Sequence, residues 1–534
     1  MRRIRRGNRG CRVADTDAGP ARPAQPPRKS VLAVETNGLD VIGDAERKGR
    51  PAQLFWPWFA SNVSVLGLSY GSFALGFGIG FWQALAAGIA GIVFSFLLCG
   101  LVSVAGKRGS APTMVLSRAA FGVRGNRLPS AVSWVLTVGW ETVLVILATL
   151  ATATVFDRLG WGGGTATKIA ALAVVSVLTV LAGVVGFDLI MRMQTAITVV
   201  TAALTAVYIV LSADGIHWKT VQALPDGSAQ DVIGALVFLM TGFGLGWVNA
   251  AADYARYLPR RTPGTAVAGW TTLGASAAPV VLFVFGLLLA GSSKDLSEAI
   301  AADPVGALTA ALPAWFLVPY ALVAVLGLVG GAVLDIYSSG LALLAVGVRL
   351  PRYAAAAVDG VLMIAGTVYI VFFSEGFLSA FTGFLTTLGV PVAAWCGIML
   401  ADIALRSRPY DDAALFYREG RYGDIRRLPI AVLIAATAAG WGLVTNSAAH
   451  WLSWQGYLLG PLGLGGTTGR WASANLGVLA ALILAFAATA VLQRGRVARQ
   501  EERQRDAPGS RAGSAATGMA QGSQGPDSPA PQRT

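Results

Sequence analysis

Stretches of about twenty predominantly apolar residues recur along this chain, and they limit its fold more than any other feature. As a helix, each is long enough to cross a hydrocarbon layer of ~30 Å. In lipid only helices and closed β-barrels satisfy their own backbone, and the shorter alternating segments of barrel strands are absent. Twelve stretches qualify, at roughly 55–80, 82–104, 129–156, 165–186, 189–213, 230–252, 264–291, 313–348, 353–373, 376–402, 429–447 and 472–492. Of the 534 residues, 54% are hydrophobic and only 13% charged, where soluble domains carry about 25% charge. The expected fold is an all-α polytopic membrane protein with twelve transmembrane helices. One membrane unit, 51–493, stands between tails at 1–50 and 494–534. Their Pro, Arg, Ser and Gly content predicts disordered tails.

The net charge of +13 does not call for nucleic acid, because Arg and Lys concentrate in the tails and in alternate loops. One loop set contains "KRGSAPTMVLSRAAFGVRGNR", "YARYLPRR" and "RSRPYDDAALFYREGRYGDIRR"; the other contains "SADGIHWKTVQALPDGSAQ" and "SSKDLSEAIAADP". The positive-inside rule turns the first set, and with it both termini, to the cytoplasm. Cys11, Cys99 and Cys396 are too scattered for a disulfide framework. His217 and His450, the only histidines, fall in loops, so neither a metal nor another cofactor is expected in the membrane.

Glycine divides the chain further. The first stretch reads "WFASNVSVLGLSYGSFALGFGIG" and the sixth "LMTGFGLGWVNAAADY". One glycine in a membrane helix means close packing. Two glycine-interrupted stretches five positions apart imply two halves of five helices, each with its first helix broken near the midplane. Paired breaks of this kind mark the binding site of secondary transporters. The eighth stretch is too long for one straight span and contains "GLVGGAV", Gly327 to Val333, where a break or strong tilt is expected.

Several motifs carry a resemblance. They are "ERKGRPAQLFWPWFASN", "SRAAFGVRGNRLPS" leading to "VGW", "AADYARYLP", "DIYSSGLALLAVGV" and "YREGRYG". In this order and spacing the chain resembles the purine–cytosine permease family of nucleobase–cation symporters, particularly its fungal-type branch, over about residues 35–490. The resemblance implies a LeuT-like five-plus-five inverted repeat plus two helices. It also implies cation-driven import of a nucleobase or similar flat heterocycle across the cell membrane. On matching positions Trp140 stacks on the substrate, and Phe243 or Gly244, with Phe243 preferred, supplies the sixth-helix partner. A heterocycle offers a π-face to such rings and a donor–acceptor edge to polar groups. The sequence departs from the family at Leu144, where an amide is common, and at Gly331 and Ala332, where fungal-type members carry an Asn pair. The departures count against cytosine and adenine. Pyridoxine, thiamine and allantoin-like ureides are the alternative substrates.

Glu141 lies inside the third apolar stretch, where a charge costs at least ~2.5–3.5 kcal/mol. Three roles are open to it: a neutral structural group, a reader of the substrate edge, or the proton-coupling site. Asp335 is a second candidate, at the inner mouth of the pathway or at a capped helix end. Asp253 is expected to pair with Arg256 or a loop arginine at an inner gate, and Asp188 with Arg192 at a turn. For a cation, the first helix offers carbonyls near Ala60 to Val63, and Asn62, whereas Tyr320 to Leu334 contains no Ser or Thr. Half a cage favours a proton over sodium. A membrane enzyme lacks its motifs here, with no HExxH and no histidine in a span. A channel is the other rival, but its rings usually come from repeated subunits.

Overall fold

The computed structural model describes Leu39 and residues 41–506 except 186, 349, 375 and 449, without side chains for 182–195, 310, 311, 352 and 504–506. The expected Asp188–Arg192 pair therefore lies outside the described side chains, and most of both tails lies outside the described residues. The chain is helical throughout its apolar length. The helices that frame the centre are α1 (Phe55–Asn62), α2 (Leu66–Leu75), α3 (Phe81–Gly109), α4 (Arg127–Arg158), α5 (Thr165–Val185) and α6 (Phe187–Ser212). They continue as α7 (Ala229–Gly242), α8 (Gly244–Trp247), α9 (Ala252–Ala255), α10 (Gly264–Ser292), α11 (Leu317–Val346), α12 (Arg352–Phe373) and α13 (Phe377–Leu405). Last come α14 (Arg427–Trp441), α15 (Gly477–Leu492) and α16 (Arg494–Asp506). By length and composition, eight helices among the described residues can each cross a membrane, or nine if the bent pair α15–α16 is one span. Leu66–Leu75, Thr165–Leu181 and Arg427–Trp441 are shorter apolar helices at three further expected positions.

Both expected interruptions are present. The first helix stops at Val63, whose φ of −79° and ψ of 90° leave the helical region, and restarts at Leu66. The sixth stops at Phe243, with φ −116° and ψ −106°. The eighth does not break. Leu317–Val346 is one continuous helix of 30 residues, which corrects the break, though not the tilt, of the two forms expected from its length and glycines. Those glycines serve packing: a Cβ on Gly331 would lie 2.9 Å from Leu144 Cδ1, so α11 and α4 approach closely there.

The described residues next to the membrane unit are tied to it at both ends. Arg47 is 5% exposed, and its Nη2 donates to Lys107 O at 2.6 Å and Leu258 O at 2.7 Å. Lys107 sits in the last turn of α3, whose carbonyls lack partners within the helix, so a guanidinium from the preceding segment supplies the donors. At the other end, Arg494–Asp506 is helical and docks on α13 and α15, where Arg406 Nη2 donates to Gln500 Oε1 at 3.0 Å.

Candidate functional site

A central cavity with about 70 Å³ of water-accessible space opens where the two broken helices meet. One water needs only ~10–15 Å³ by the same measure. Its walls come from the α1–α2 break (Ser61, Asn62, Ser64, Tyr70), from α4 (Trp140, Leu144), from the α7–α8 break (Gly242, Phe243, Trp247) and from α11 (Gly331, Asp335).

Local geometry explains how each wall is held. Trp140 meets Phe381 and Phe384 of α13 edge-to-face, with centroids 5.7 and 6.0 Å away, so its rotamer is clamped. Gly246 makes room for it, because a Cβ there would lie 2.9 Å from Trp140 Nε1. That Nε1 is buried and has no hydrogen-bond partner among the described residues. At the sixth-helix break, the Tyr70 hydroxyl donates to the Gly242 carbonyl at 3.1 Å, satisfying an acceptor near the helix end. A Cβ on Gly242 would lie 2.7 Å from Tyr70 Cε1, so only glycine fits that contact. The Tyr70 and Phe243 rings then pack at 4.4 Å.

The structure sorts the residues expected from sequence. Trp140, Phe243, Asn62 and Asp335 meet at the cavity. Gly244 is not among its walls; its N–H donates to Ser95 Oγ at 3.1 Å and its backbone presses on α3. Ala60 and Val63 are also not wall residues, and Val63 is 6% exposed. Asn62 Nδ2 is engaged with Trp58 O at 2.8 Å. Asp335 sits mid-helix rather than at a capped helix end. Trp247 was missed from sequence, although a tryptophan one turn beyond Phe243 in a glycine-rich break was the available signal. It is edge-packed on Trp58 at 6.0 Å. Asp253 and Arg256 remain electrostatic neighbours but form no ion pair within 4 Å among the described residues. Asp253 Oδ1 accepts from Thr113 N at 2.8 Å and Thr113 Oγ1 at 2.7 Å, while the Arg256 guanidinium lies over the Tyr257 ring at 5.1 Å. The backbone of the short segment at Thr113 reaches the carboxylate first.

Glu141 follows Trp140 but turns roughly 100° around the helix. It is not a wall of the cavity. It is 0% exposed, and neither carboxyl oxygen has a hydrogen-bond partner by distance and angle among the described residues. Its polar neighbours are Ser339 and the carboxyls of Asp359 and Asp335. Asp359, from α12, is also 0% exposed; it accepts from Trp134 Nε1 at 2.6 Å and from Ser339 Oγ at 2.8 Å. Trp134 precedes Glu141 by two helical turns, so both face α12. Asp335 and Ser339 are four apart on α11, which puts them on one face. A file of groups therefore runs from Asp335 in the cavity, past Glu141 and Ser339, to Asp359. Asp359 carried the same signal as Glu141, a single acid inside an expected span, and was missed; Trp134 carried none.

Comparison with known proteins agrees with this architecture. Mhp1, a nucleobase-cation-symport-1 family transporter solved closed with bromovinylhydantoin bound, matches with a TM-score of 0.64 and 18% identity, over 89% of this chain and 100% of that one. Inward-facing Mhp1 matches at 0.61 and 18% identity, over 88% and 99%. The shared fold is the LeuT-like one, with its two interrupted helices. In Bacillus subtilis (strain 168), the protein named "Putative purine-cytosine permease YxlA" is 24% identical over 409 residues, 74% of this chain and 84% of that protein. The sequence pattern of the permeases for cytosine/purines, uracil, thiamine and allantoin matches residues 41–462. The chain is a membrane permease belonging to that family, and not an enzyme.

Proposed function

We propose that this permease imports a nucleobase or similar small planar heterocycle by proton symport across the cell membrane, with both termini in the cytoplasm. One observation carries the reading: a cavity between two helix breaks, faced by Trp140, Trp247 and Phe243, holds a single acid, Asp335. The rings offer stacking surfaces. Asp335, Ser61, Asn62 and Ser64 offer polar contacts to a donor-bearing edge. The opposite edge meets Leu144, which fills the space beside Gly331, so the two positions that lack family amides touch each other. An apolar edge there disfavours cytosine and adenine, and the vitamin and ureide substrates of the family remain the alternatives.

Glu141 and Asp359 supply the proton site. Two carboxyl groups this dry are not both charged at once without a large penalty. A proton bound when Asp335 is engaged, and released when the cavity empties inward, links the two fluxes. Asp253 and Arg256 then belong to the inner gate, where a small cavity of about 10 Å³ lies between Asp253, Asn249 and Ser338. A sodium reading has one observation in its favour: the partnerless Thr201 hydroxyl and the Val63 carbonyl both lie near Gly327.

Competition of radiolabelled uptake by a panel of heterocycles tests the substrate class; inhibition by none of them would overturn it. Replacing sodium with choline at fixed pH tests the cation. Uptake continues if the proton is the coupled ion and stops if sodium is.

A further inference from the structure

The face that carries the arginine-rich loops holds a second built site, far along the chain from the cavity residues. Two concavities adjoin where α15 ends, turns by 54°, and continues as α16. One, of about 200 Å³, is lined by Arg421, Arg426, Arg496, Arg499, Gln500 and Arg503. The other, of about 340 Å³, shares Arg426, Arg496 and Arg499 and adds Arg427, Ile425, Leu428 and Leu492. No acid lines either. Glu501 of α16 is spent on Ser407, and Asp402 on Arg406, which it meets at 2.7 and 2.8 Å.

The arginines are short of partners. Among the described residues, Arg426, Arg496, Arg499 and Arg503 make no ion pair. Arg496 Nε and Nη2 are buried without a hydrogen-bond partner, and so is Arg421 Nη1. Arg426 is held by backbone carbonyls, its Nε donating to Tyr422 O at 2.6 Å and its Nη2 to Arg421 O at 3.1 Å, so it cannot swing away freely. Asp411 pairs with Arg421 at 2.7 Å, which still leaves the cationic side chains in excess; like charges so gathered repel, and guanidinium forks match phosphate oxygens. The second concavity also has an apolar lip: Ile425 is 53%, Leu428 42% and Leu492 54% exposed. Leu428 and Leu492 stand at the ends of two apolar helices and Ile425 just before one of them, the place along a membrane helix where headgroups are expected.

We infer that this arginine pocket binds the phosphate headgroup of an anionic phospholipid, with the acyl chains lying over Ile425, Leu428 and Leu492. A basic hollow joined to an apolar lip at a helix end fits a lipid better than a free anion, which would leave the lip uncovered. The bound headgroup neutralises the cluster and pins the bend between α15 and α16.

The test uses the full chain in detergent, with thermal melting followed while phosphatidylglycerol, phosphatidylcholine of the same acyl chains, or inorganic phosphate is titrated in. Phosphatidylglycerol should raise the midpoint, phosphatidylcholine should not, and the shift should shrink with salt. Arg499→Gln with Arg503→Gln should weaken phosphatidylglycerol binding about tenfold or more. Arg499→Gln alone provides a milder variant if the double one folds poorly, and Arg418→Gln on the same face should behave as wild type. Equal stabilisation by phosphatidylcholine, full reproduction by inorganic phosphate, or a wild-type response in both Arg499 variants would each overturn the assignment.

Discussion

Trp140 and Glu141 are neighbours in sequence and opposites in setting. Trp140 borders a cavity that admits water and leaves its Nε1 unpaired. Glu141 faces a dry seam between α4, α11 and α12, where its company is Ser339, Asp359 and Asp335. A single helix thus presents a stacking surface to one side and an acid to the other. Under the proposed function, recognition and coupling use different side chains of one helix, with Asp335 positioned between them.

The largest effect should come from the dry side. Glu141→Gln should abolish accumulation against a gradient while leaving exchange of labelled for unlabelled substrate, and Asp359→Asn should do the same. Accumulation in proteoliposomes under an imposed pH gradient reads both, and wild-type accumulation in either variant would break the division. On the cavity side, Trp140→Ala should weaken substrate binding by about tenfold, because a ring contact contributes ~0.5–1.5 kcal/mol beyond the area it buries. Its uptake should keep the wild-type dependence on pH, and a changed pH profile would blur the two faces. Smaller still is Leu144→Gln. It puts an amide on the apolar side of the cavity and should shift the order of competing heterocycles by a few fold, with coupling intact. Least of all is Arg124→Gln, which removes a surface ion pair to Asp424 and should leave uptake unchanged.

Much of the fold was legible in the sequence. Apolar length located the helices, and paired glycine runs picked out both broken ones, although the first break, at Val63, falls before Gly67. The same rule failed for α11. Gly327 and Gly331 there allow approach to neighbouring helices, and glycine composition alone does not separate a bend from a contact. The contacts of the described end segments were not legible either, because Arg47 meets backbone carbonyls and Gln500 meets Arg406 only in the folded chain. At the site, Trp140, Phe243, Asn62 and Asp335 were found by position in the motifs. Trp247 lay one turn past the expected partner, and Asp359 is brought to Glu141 only by packing of α12 against α4.

The most direct test is paired flux in sodium-free proteoliposomes carrying wild type or Glu141→Gln, with an acid-outside pH gradient. The account predicts that wild type concentrates the heterocycle and Glu141→Gln only exchanges it, at near wild-type affinity. Gradient-driven concentration by Glu141→Gln, with the wild-type response to pH, would contradict it.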